Sequence, residues 1–344
     1  MSYPFSRRKA LVTGTLSAGT FFGSTISPQN AFGLQKAWGE DFLTPFSPAE
    51  NVKRDLTPGK TPVRLSCNGY SIRFKKGMNI GAAVKSVRDA GYTAAEGNDE
   101  WKHASDSEIR EFKAALREHD VIFYTIHRAI NNIHPDPIER RKINKITAEN
   151  VEAAERLGIS FIVSHTGSCD PRPGRPHRDN WTKETWKRSV EAFKQILKDT
   201  SGSKVALAIE AVNPTNMNNP RAHVKFREDV GDPRIKVTLD PQNMLNLSTY
   251  YRTTELVNEC FDLLGEDICY MHCKDVKIAD SMLPAFEWVV AGKGTIDFEM
   301  CLVRLSHMKY PRPYFLEFLP KEKYPEAKKY IEETAKKVGV TIYH

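Results

Sequence analysis

Several features that would assign the chain to other classes of protein are missing from this sequence. Its six cysteines show no CxxC spacing, so neither a thiolate zinc cluster nor a dithiol redox centre is indicated. Beyond the N-terminal segment, no stretch approaches the ~20 apolar residues of a membrane span. The formal charge is only +7 in 344 residues, without the clustered basic face of a nucleic-acid-binding protein. We therefore expect neither a stable membrane anchor nor a nucleic-acid partner.

The cysteines themselves are expected to be structural. They lie at positions 67, 169, 260, 269, 273 and 301, mostly in apolar contexts. Such residues usually behave as small buried hydrophobes. The sequence leaves open whether any two of them form a disulfide, and it also leaves open a homo-oligomer.

The N-terminal segment carries charge of one sign only. No Asp or Glu occurs before Leu34, while residues 7–9, Arg-Arg-Lys, supply three of the seven net positive charges. A weakly apolar stretch follows, with small residues around Ala31. A basic start, a modest apolar stretch and small residues near a cleavage point are typical of a secretory signal. We predict that residues 1–33 are a cleavable signal.

The paired arginines of this segment resemble a bacterial twin-arginine signal, which directs folded proteins to export. The match is partial, because Ala10 and Val12 stand where that signal usually has phenylalanine and lysine. The first cysteine, Cys67, is too distant for a lipoprotein anchor. The resemblance implies the twin-arginine export machinery as a partner and a periplasmic or secreted location. A disordered basic tail is the alternative interpretation.

After this segment, a short irregular stretch precedes a regular pattern. Residues 34–60 contain three prolines and no clean periodicity, which predicts an extended arm. From residue 61 to residue 344, short apolar runs alternate with amphipathic segments at intervals of about 40 residues, as expected for βα units. Strand-like runs begin near Val63, Tyr92, Val121, Ser160, Val205, Ile235, Ile268 and Tyr314. Helices are predicted over Ser107–Leu116, from Asp136, over Thr182–Leu197 and over Pro325–Val338. The fold class is therefore α/β, a (β/α)₈ TIM barrel of roughly 250 residues with extensions.

Four of the strand-like runs end in a side chain that can bind a metal. These side chains are Glu210, Asp240, His272 and Glu317. Because residues two apart share a face of a strand, each of them is the last inward residue of its run. Any one of them alone would be an ordinary solvated loop residue, but the carboxyl ends of barrel strands form the active site. Three hard oxygen ligands and one imidazole suit one divalent Mn, Co, Mg or Zn ion, with Mn favoured.

The motifs around these residues resemble the xylose isomerase-like TIM barrel superfamily, specifically its sugar (phosphate) isomerase/epimerase branch. The similarity covers about Val63 to Val338. It is carried by Ala208-Ile-Glu210, Thr238-Leu-Asp240, His272-Cys-Lys-Asp275, Gly292-Lys-Gly294-Thr-Ile-Asp-Phe298 and Leu316-Glu317. The resemblance implies that Glu210, Asp240, His272 and Glu317 are the metal ligands. It also implies that His127, His165 and Glu96 face the substrate from the ends of earlier strands.

The resemblance implies a carbohydrate substrate, and the residue types suit enediolate chemistry on it. A divalent ion that binds a carbonyl and the adjacent hydroxyl lowers the cost of removing the α proton. Glu210 and Glu317 would remove and return that proton, as catalytic acid and base. His127, His165 and Lys274 are predicted to bind substrate oxygens. We expect an exported isomerase or epimerase of an unphosphorylated sugar, keto-sugar or glycoside, since phosphorylated sugars are mostly kept in the cytoplasm.

Other functions remain open at this point. A lyase or dehydratase would use the same enediolate and expel a leaving group, with His134 or His177 as candidate acid. A phosphodiesterase resembling endonuclease IV is less favoured, because relatives of that kind carry histidine where Asn243 stands and an Asp-x-His after the metal histidine. Asn243 is instead included among the predicted substrate-binding residues. A non-catalytic sugar-binding barrel is the last alternative.

Other residues near the predicted strand ends are candidates for roles at the site. The aromatic residues Trp101, Phe286 and Trp288 could stack on a sugar ring, with ordinary packing as the competing interpretation. We expect Asp275 to orient a neighbouring side chain rather than to bind metal.

Overall fold

The computed structural model describes residues 54–127 and 130–343. The predicted signal, residues 1–33, and most of the predicted arm lie outside the described residues. Within them, no helix is both long enough and apolar enough to cross a bilayer.

A parallel sheet of nine strands curls into a barrel. The strands are β1 (Val63–Cys67), β2 (Ala94–Asn98), β3 (Ile122–His127), β4 (Phe161–Ser164), β5 (Ala206–Glu210), β6 (Ile235–Leu239), β7 (Ile268–Cys273), β10 (Pro313–Leu316) and β11 (Ile342–Tyr343). Neighbouring strands follow one another in the order β11-β1-β10-β7-β6-β5-β4-β3-β2. Eight of them begin within two residues of the positions expected from the sequence, and the ninth is a short strand at the C-terminus.

The barrel closes between β1 and β2 without a strand ladder among the described residues. An isolated parallel bridge joins Ile72 to Gly97, and the Ser66 hydroxyl donates to the carbonyl of Ala94. The C-terminal strand β11 pairs with the first two residues of β1, Val63 and Arg64. The seam between the first two strands is therefore held by side-chain contacts and a single bridge.

Eight α-helices surround the sheet in the described part of the chain. Several begin with caps of the kind the sequence indicates: Asp136 accepts hydrogen bonds from the amides of Ile138 and Glu139, and Thr182 accepts one from Thr185. Such caps satisfy amides that have no partner within the helix. The helices are α1 (Ile80–Asp89), α2 (Asp106–Glu118), α3 (Pro137–Leu157), α4 (Lys183–Asp199), α5 (Pro220–Val230), α6 (Thr253–Leu264), α7 (Phe298–Ser306) and α8 (Tyr324–Lys337).

Two apolar clusters hold these layers together. A small cluster fills the barrel interior and includes Ala208 and Tyr270, as the alternation along β5 and β7 predicts. A large cluster lies between the sheet and the helices. Trp101 belongs to this outer cluster: it is 0% exposed, stacks on Phe112 at 4.1 Å and donates to the carbonyl of Ile72. A sugar-stacking role for Trp101 is therefore wrong, because the short helix after β2 turns the indole into the core.

A β-hairpin interrupts the chain between β7 and β10. Strands β8 (Asp275–Ile278) and β9 (Phe286–Val289) pair antiparallel and form a separate two-stranded sheet. The carboxylate of Asp275 accepts hydrogen bonds from the amides of Val276, Gly292, Gly294 and Ile296. Asp275 thus orients backbone at the base of the hairpin, rather than the neighbouring side chain that the sequence led us to expect.

The described part of the predicted arm lies against α7. Arg54 pairs with Asp297 and Glu299 at 2.7 and 2.9 Å. Gly59 approaches the end of α7 so closely that a Cβ would lie 2.1 Å from the carbonyl oxygen of Ser306, a distance that only glycine avoids. All six cysteines are free thiols, and five of them are buried, as expected from their apolar contexts.

Candidate active site

The four predicted metal ligands lie at the carboxyl ends of neighbouring strands. Glu210 is the last residue of β5, Asp240 and Glu317 directly follow β6 and β10, and His272 is the penultimate residue of β7. All four side chains are buried, with at most 4% of each residue exposed. Because the strands are parallel and adjacent, their ends bring the four groups into one polar cluster inside an apolar shell.

His272 is the centre of this cluster. Its Nδ1 lies 3.3 Å from Oε1 of Glu210 and 3.4 Å from Oδ2 of Asp240. Ligand atoms of these three residues all lie within 4.8 Å of one another. On the other side of the ring, His272 Nε2 lies 3.1 Å from Oε1 of Glu317 and 2.9 Å from the hydroxyl of Tyr270. Two of the other predicted ligands, Glu210 and Asp240, therefore lie on the Nδ1 side of His272, and Glu317 lies on the Nε2 side.

Lys274 connects the two sides. Its Nζ lies 2.5 Å from Oδ2 of Asp240 and 2.9 Å from Oε2 of Glu317, and the residue is only 3% exposed. Lys274 was expected to bind a substrate oxygen. In the structure its ammonium lies between two predicted metal ligands and partly neutralises their charge, while it also lines the cavity.

Two predicted substrate-binding residues hold Glu210. His165 Nε2 lies 3.0 Å from Oε2 of Glu210, and the amide of Asn243 donates to Oε1 at 2.8 Å. His127 is more distant, with Nε2 3.8 Å from the same Oε2, and its ring stacks on His165 at 5.5 Å. All three also line the cavity, so they can contact a substrate as well as the carboxylate.

Glu96 is buried deeper, in the middle of β2. Its Oε1 accepts a hydrogen bond from Ser71 at 3.1 Å, and burial together with Glu317 raises its pKa to about 7. Ligand atoms of Glu96, His127 and Glu317 also lie within 4.8 Å of one another. Glu96 does not line the cavity, so the structure brings it to the carboxylate cluster but not to the surface a substrate would contact.

The charges of the cluster alter its titration. Burial alone would raise the pKa of Glu210, but the charge on His272 and the hydrogen bond with His165 hold it well below its usual range. Burial would lower the pKa of His272, yet Glu317 and Glu210 raise it well above its usual value. Burial lowers the pKa of His127 to about 4. The cluster thus holds an ionised Glu210 beside a protonated His272 and a neutral His127.

The donor set fits a divalent cation. Three buried polar atoms at the site have no hydrogen-bond partner within the described chain: Glu96 Oε2, His127 Nε2 and His165 Nδ1. Buried polar atoms are normally satisfied, and unsatisfied ones at a carboxylate–imidazole cluster indicate a ligand. Oxygen and imidazole donors without thiolate are those of Mn, Co, Mg or Zn sites.

A cavity of about 440 Å³ opens above the cluster. The carboxylates of Glu210 and Glu317 lie at its buried end, and the half-exposed rings of Trp288 and Phe318 form part of its wall. The loop after β4 supplies another wall through residues 173–175. A cavity of this size accommodates a small organic ligand.

Some residues of the site were not predicted from the sequence. Phe318 directly follows Glu317 and has φ +55°; a single aromatic residue after a strand gives no sequence signal for that conformation. Asn68 donates to Oε1 of Glu317 at 3.4 Å, and Tyr270 contacts His272. The alternation along β7 predicts that Tyr270 points into the barrel, but it does not predict the hydrogen bond with His272.

The two histidines considered as acids in an elimination are not at the cavity. His134 accepts a hydrogen bond from the amide of Asp136, and His177 accepts one from the amide of Asp179. Each stabilises the start of a helix. Among the described residues that line the cavity, neither His134 nor His177 is present.

Comparisons with known proteins agree with this architecture. Residues 84–335 match a family model described as xylose isomerase-like TIM barrel. A xylose isomerase-like TIM barrel protein from Mycobacterium smegmatis in complex with magnesium is 15% identical, with a TM-score of 0.59, over 81% of this chain and 97% of that one. D-Psicose 3-epimerase from Clostridium cellulolyticum H10 is 16% identical, with a TM-score of 0.57, over 80% and 96%.

Endonuclease IV from Thermus thermophilus is similar to the same degree. It is 16% identical, with a TM-score of 0.60, over 80% of this chain and 99% of that one. Sugar epimerases and a nuclease therefore share this fold, and the choice between their chemistries depends on the residues of the site.

Proposed function

Because this chain belongs to the xylose isomerase-like TIM barrel family, we propose that it is a divalent-metal-dependent sugar isomerase or epimerase. The observation that supports this most strongly is the position of two carboxylates on opposite sides of one imidazole. Glu210 contacts Nδ1 of His272 and Glu317 contacts Nε2. Both carboxylates also line the cavity. If they flank a sugar bound there, one can act on each face of the sugar.

Glu210, Asp240 and His272, whose ligand atoms lie together, would hold the metal. Glu317 lies on the other side of the His272 ring and would have to move toward them to act as the fourth ligand. When bound, a divalent ion would polarise a carbonyl and its neighbouring hydroxyl and stabilise negative charge on their oxygens. Mn is our first choice among Mn, Co, Mg and Zn, whose common ligands these are.

Proton transfer is assigned to the two carboxylates. One carboxylate takes the proton from the carbon next to the carbonyl, and the electron pair of that bond enters the enediolate. The other carboxylate, protonated at that stage, returns a proton to the opposite face, which inverts the carbon. His165 and Asn243 hold the two oxygens of Glu210 at 3.0 and 2.8 Å. They thereby fix the direction in which its carboxylate approaches the substrate.

The composition of the site favours this reaction over phosphodiester cleavage. Asn243 presents an amide that donates to Glu210, so it offers no imidazole to a further metal ion. The charge of the chain is low for a DNA-binding surface. We also propose that the enzyme is exported through a twin-arginine signal and acts on an unphosphorylated sugar, keto-sugar or glycoside.

Solvent-deuterium incorporation tests the reaction. Mn-loaded protein is incubated in D₂O with free ketoses, inososes and 3-keto-glucosides, and the products are followed by NMR. We expect deuterium next to the carbonyl with wild type, and its loss in Glu210→Gln and Glu317→Gln. Glu333→Gln, an exposed glutamate of α8, is the matched control and should retain exchange.

The products separate the remaining possibilities. An epimer or an isomerised ketose supports the proposal, whereas loss of water or of an aglycone would assign a lyase. Absence of exchange with every substrate, although the metal is bound, would overturn enediolate chemistry. A strong preference for phosphorylated sugars would contradict the part of the proposal that rests on export.

A further inference from the structure

Two aromatic side chains form an exposed wall at the mouth of the cavity. Trp288 on β9 and Phe318 after β10 stack with ring centroids 4.4 Å apart and an interplanar angle of 27°. They remain 58% and 48% exposed, and both line the cavity. Glu210 and Glu317, at the other end of the same cavity, are at most 4% exposed. The cavity therefore has a buried charged end and an open aromatic end.

The backbone of Phe318 is held in an uncommon conformation. Its φ of +55° lies in the left-handed region, which costs about 1–3 kcal/mol for a residue other than glycine. This conformation occurs directly after Glu317. It brings the ring to 4.4 Å from Lys274 Nζ, a distance at which a cation and an aromatic face attract each other. Phe318 is thus positioned with the charged cluster rather than folded into the core.

The hairpin does not need Trp288 to stay in place. Asp275 binds four backbone amides at its base. Phe286 lies two residues before Trp288, on the same face of β9, and stacks on Tyr250 at 5.7 Å. The hydroxyl of Tyr250 also accepts a hydrogen bond from the amide of Ile278. These contacts join the hairpin to the barrel independently of Trp288.

A purely structural stack in this protein has a different environment. Trp101 and Phe112 stack at 4.1 Å and are 0% and 1% exposed, so their apolar surface is removed from water. Trp288 and Phe318 leave about half of theirs in water, beside a polar cavity. Flat, exposed aromatic faces of this kind bind the apolar face of a ring.

We infer that the substrate is a keto-glycoside whose second ring stacks on the exposed face of Trp288, the face opposite its stack with Phe318. The reacting sugar would lie at Glu210 and Glu317, and its substituent would extend toward solvent. This inference rests on the proposed function and adds a substrate class to it. The second ring is either a sugar or an aryl group, because both present a flat apolar face.

A pair of matched ligands tests the inference by calorimetry on the Mn-loaded full chain. Phenyl β-D-glucopyranoside and methyl β-D-glucopyranoside differ only in the second ring. We expect the phenyl glycoside to bind about tenfold more tightly than the methyl glycoside, in keeping with an aromatic stacking contact. In Trp288→Ala and Trp288→Leu this ratio should fall to about one, since neither variant offers a flat ring; Leu retains apolar bulk if Ala disturbs folding.

Two controls separate a binding role from a structural one. Phe286→Ala removes the other aromatic stack of the hairpin but not a residue of the cavity wall. Trp181→Ala removes an exposed tryptophan, 54% accessible, outside the cavity. Both should keep the wild-type ratio. A wild-type ratio near one, or an unchanged ratio in Trp288→Ala and Trp288→Leu, would overturn the inference.

Further ligands identify the second ring and distinguish a failure of the inference from a failure of the proposed function. Cellobiose that binds more tightly than the methyl glycoside supports a sugar as the second ring, and tight binding of the phenyl glycoside alone supports an aryl group. D-Fructose that binds without any advantage for the two-ring ligands would overturn only the inference. No binding of any of these sugars to Mn-loaded protein would overturn the proposed function together with it.

Discussion

Lys274 Nζ lies 2.5 Å from Oδ2 of Asp240, and both residues are at most 3% exposed. A buried ammonium in this position supplies positive charge among carboxylates that would otherwise repel one another. Burial would lower the pKa of Lys274, but Asp240 and Glu317 raise it well above its usual value. The lysine therefore stabilises the metal-free cluster and also competes with a metal ion for the same oxygens.

Replacement of Lys274 by methionine should destabilise the metal-free protein but strengthen the binding of metal. Without metal, we expect the free energy of unfolding to fall by about 3–5 kcal/mol, because one partner of a buried ion pair is removed. Mn²⁺ should restore most of this loss and bind roughly tenfold more tightly, since no ammonium competes for the carboxylates. Urea unfolding in EDTA and in Mn²⁺, together with Mn²⁺ titration, measures both effects.

The control for this variant is a lysine with an exposed partner. Lys277 lies 3.4 Å from Glu287, and both side chains are about half exposed. Lys277→Met should change stability by less than about 1 kcal/mol in either condition. Weaker Mn²⁺ binding by Lys274→Met would show that the lysine assists the metal site rather than competes with it.

Metal binding should depend on Asp240, which is grouped with Glu210 and His272. We predict one ion per wild-type chain by elemental analysis, and none in Asp240→Asn, because an amide is a weaker ligand for a hard divalent ion. At a concentration of about 100 times Kd, the ion should stabilise wild type by about 2.7 kcal/mol. The variant should show no such gain. Asp262→Asn, a mostly exposed surface variant, should behave as wild type; retained stoichiometry in Asp240→Asn would contradict the ligand assignment.

The strands that carry the site were predictable because their side chains alternate. Runs such as Val205–Glu210 have apolar residues on both faces and one ionisable residue at the carboxyl end, a pattern that depends only on strand geometry. The order of the strands around the barrel then brings those ends together. Periodicity and the connection rules of parallel sheets were sufficient for this part of the fold.

Features that depend on tertiary contacts were not predictable in the same way. The hairpin strand Phe286–Val289 has side chains exposed on both faces, so it lacks alternation. It is held in place by Asp275, through amides up to 21 residues distant in sequence. The contacts of His165 and Asn243 with Glu210 depend on side-chain directions, which strand ends alone do not determine. Trp101 follows the end of β2 as expected, but its short helix turns it inward.

A buried histidine on α5 should make the free energy of unfolding depend on pH. His223 on α5 is 4% exposed, its Nε2 has no hydrogen-bond partner among the described residues, and burial lowers its pKa to about 4. The unfolded chain protonates this side chain near its ordinary pKa of about 6.5, whereas the folded chain does so only near 4. Between these values the unfolded state binds more protons, so stability falls as the pH is lowered and levels off below about 4.

The size of this effect follows from the difference between the two pKa values, about 3 kcal/mol in total. Urea unfolding in EDTA between about pH 7.5 and pH 4 measures this dependence. The lowered pKa of His127 acts in the same direction as that of His223, whereas the raised pKa values of Glu96 and His272 act in the opposite direction in every variant. The contribution of His223 is therefore the difference between wild type and His223→Gln, which should lose about 3 kcal/mol less on acidification. His103→Gln, whose side chain is 63% exposed, should keep the wild-type slope. Equal slopes in all three proteins would show that His223 does not carry the effect.

Asp275 should determine whether the hairpin stays on the barrel. Its carboxylate is 1% exposed and accepts four backbone amides at 2.8 to 3.1 Å. Hydrogen bonds to a charged acceptor contribute about 1.5–3 kcal/mol each. Asparagine would retain one acceptor oxygen and turn two donors toward amides that also donate. We therefore expect Asp275→Asn to lower stability by roughly 2–4 kcal/mol and to increase hydrogen exchange at Gly292, Gly294 and Ile296.

Because both oxygens of Asp275 bind amides at the base of the hairpin, the predicted effect on hydrogen exchange is specific to the hairpin. Its Oδ2 binds Gly292 and Gly294, and its Oδ1 binds Val276 and Ile296, so one substitution should release both ends of the loop. Amides of β5, two strands away from β7 in the sheet, should keep their protection. Asp280→Asn, in the turn of the same hairpin, changes charge without these hydrogen bonds and should leave exchange at the base unaltered. Uniform loss of protection in Asp275→Asn would instead indicate global destabilisation, and unchanged exchange at the glycines would show that the carboxylate does not hold the hairpin.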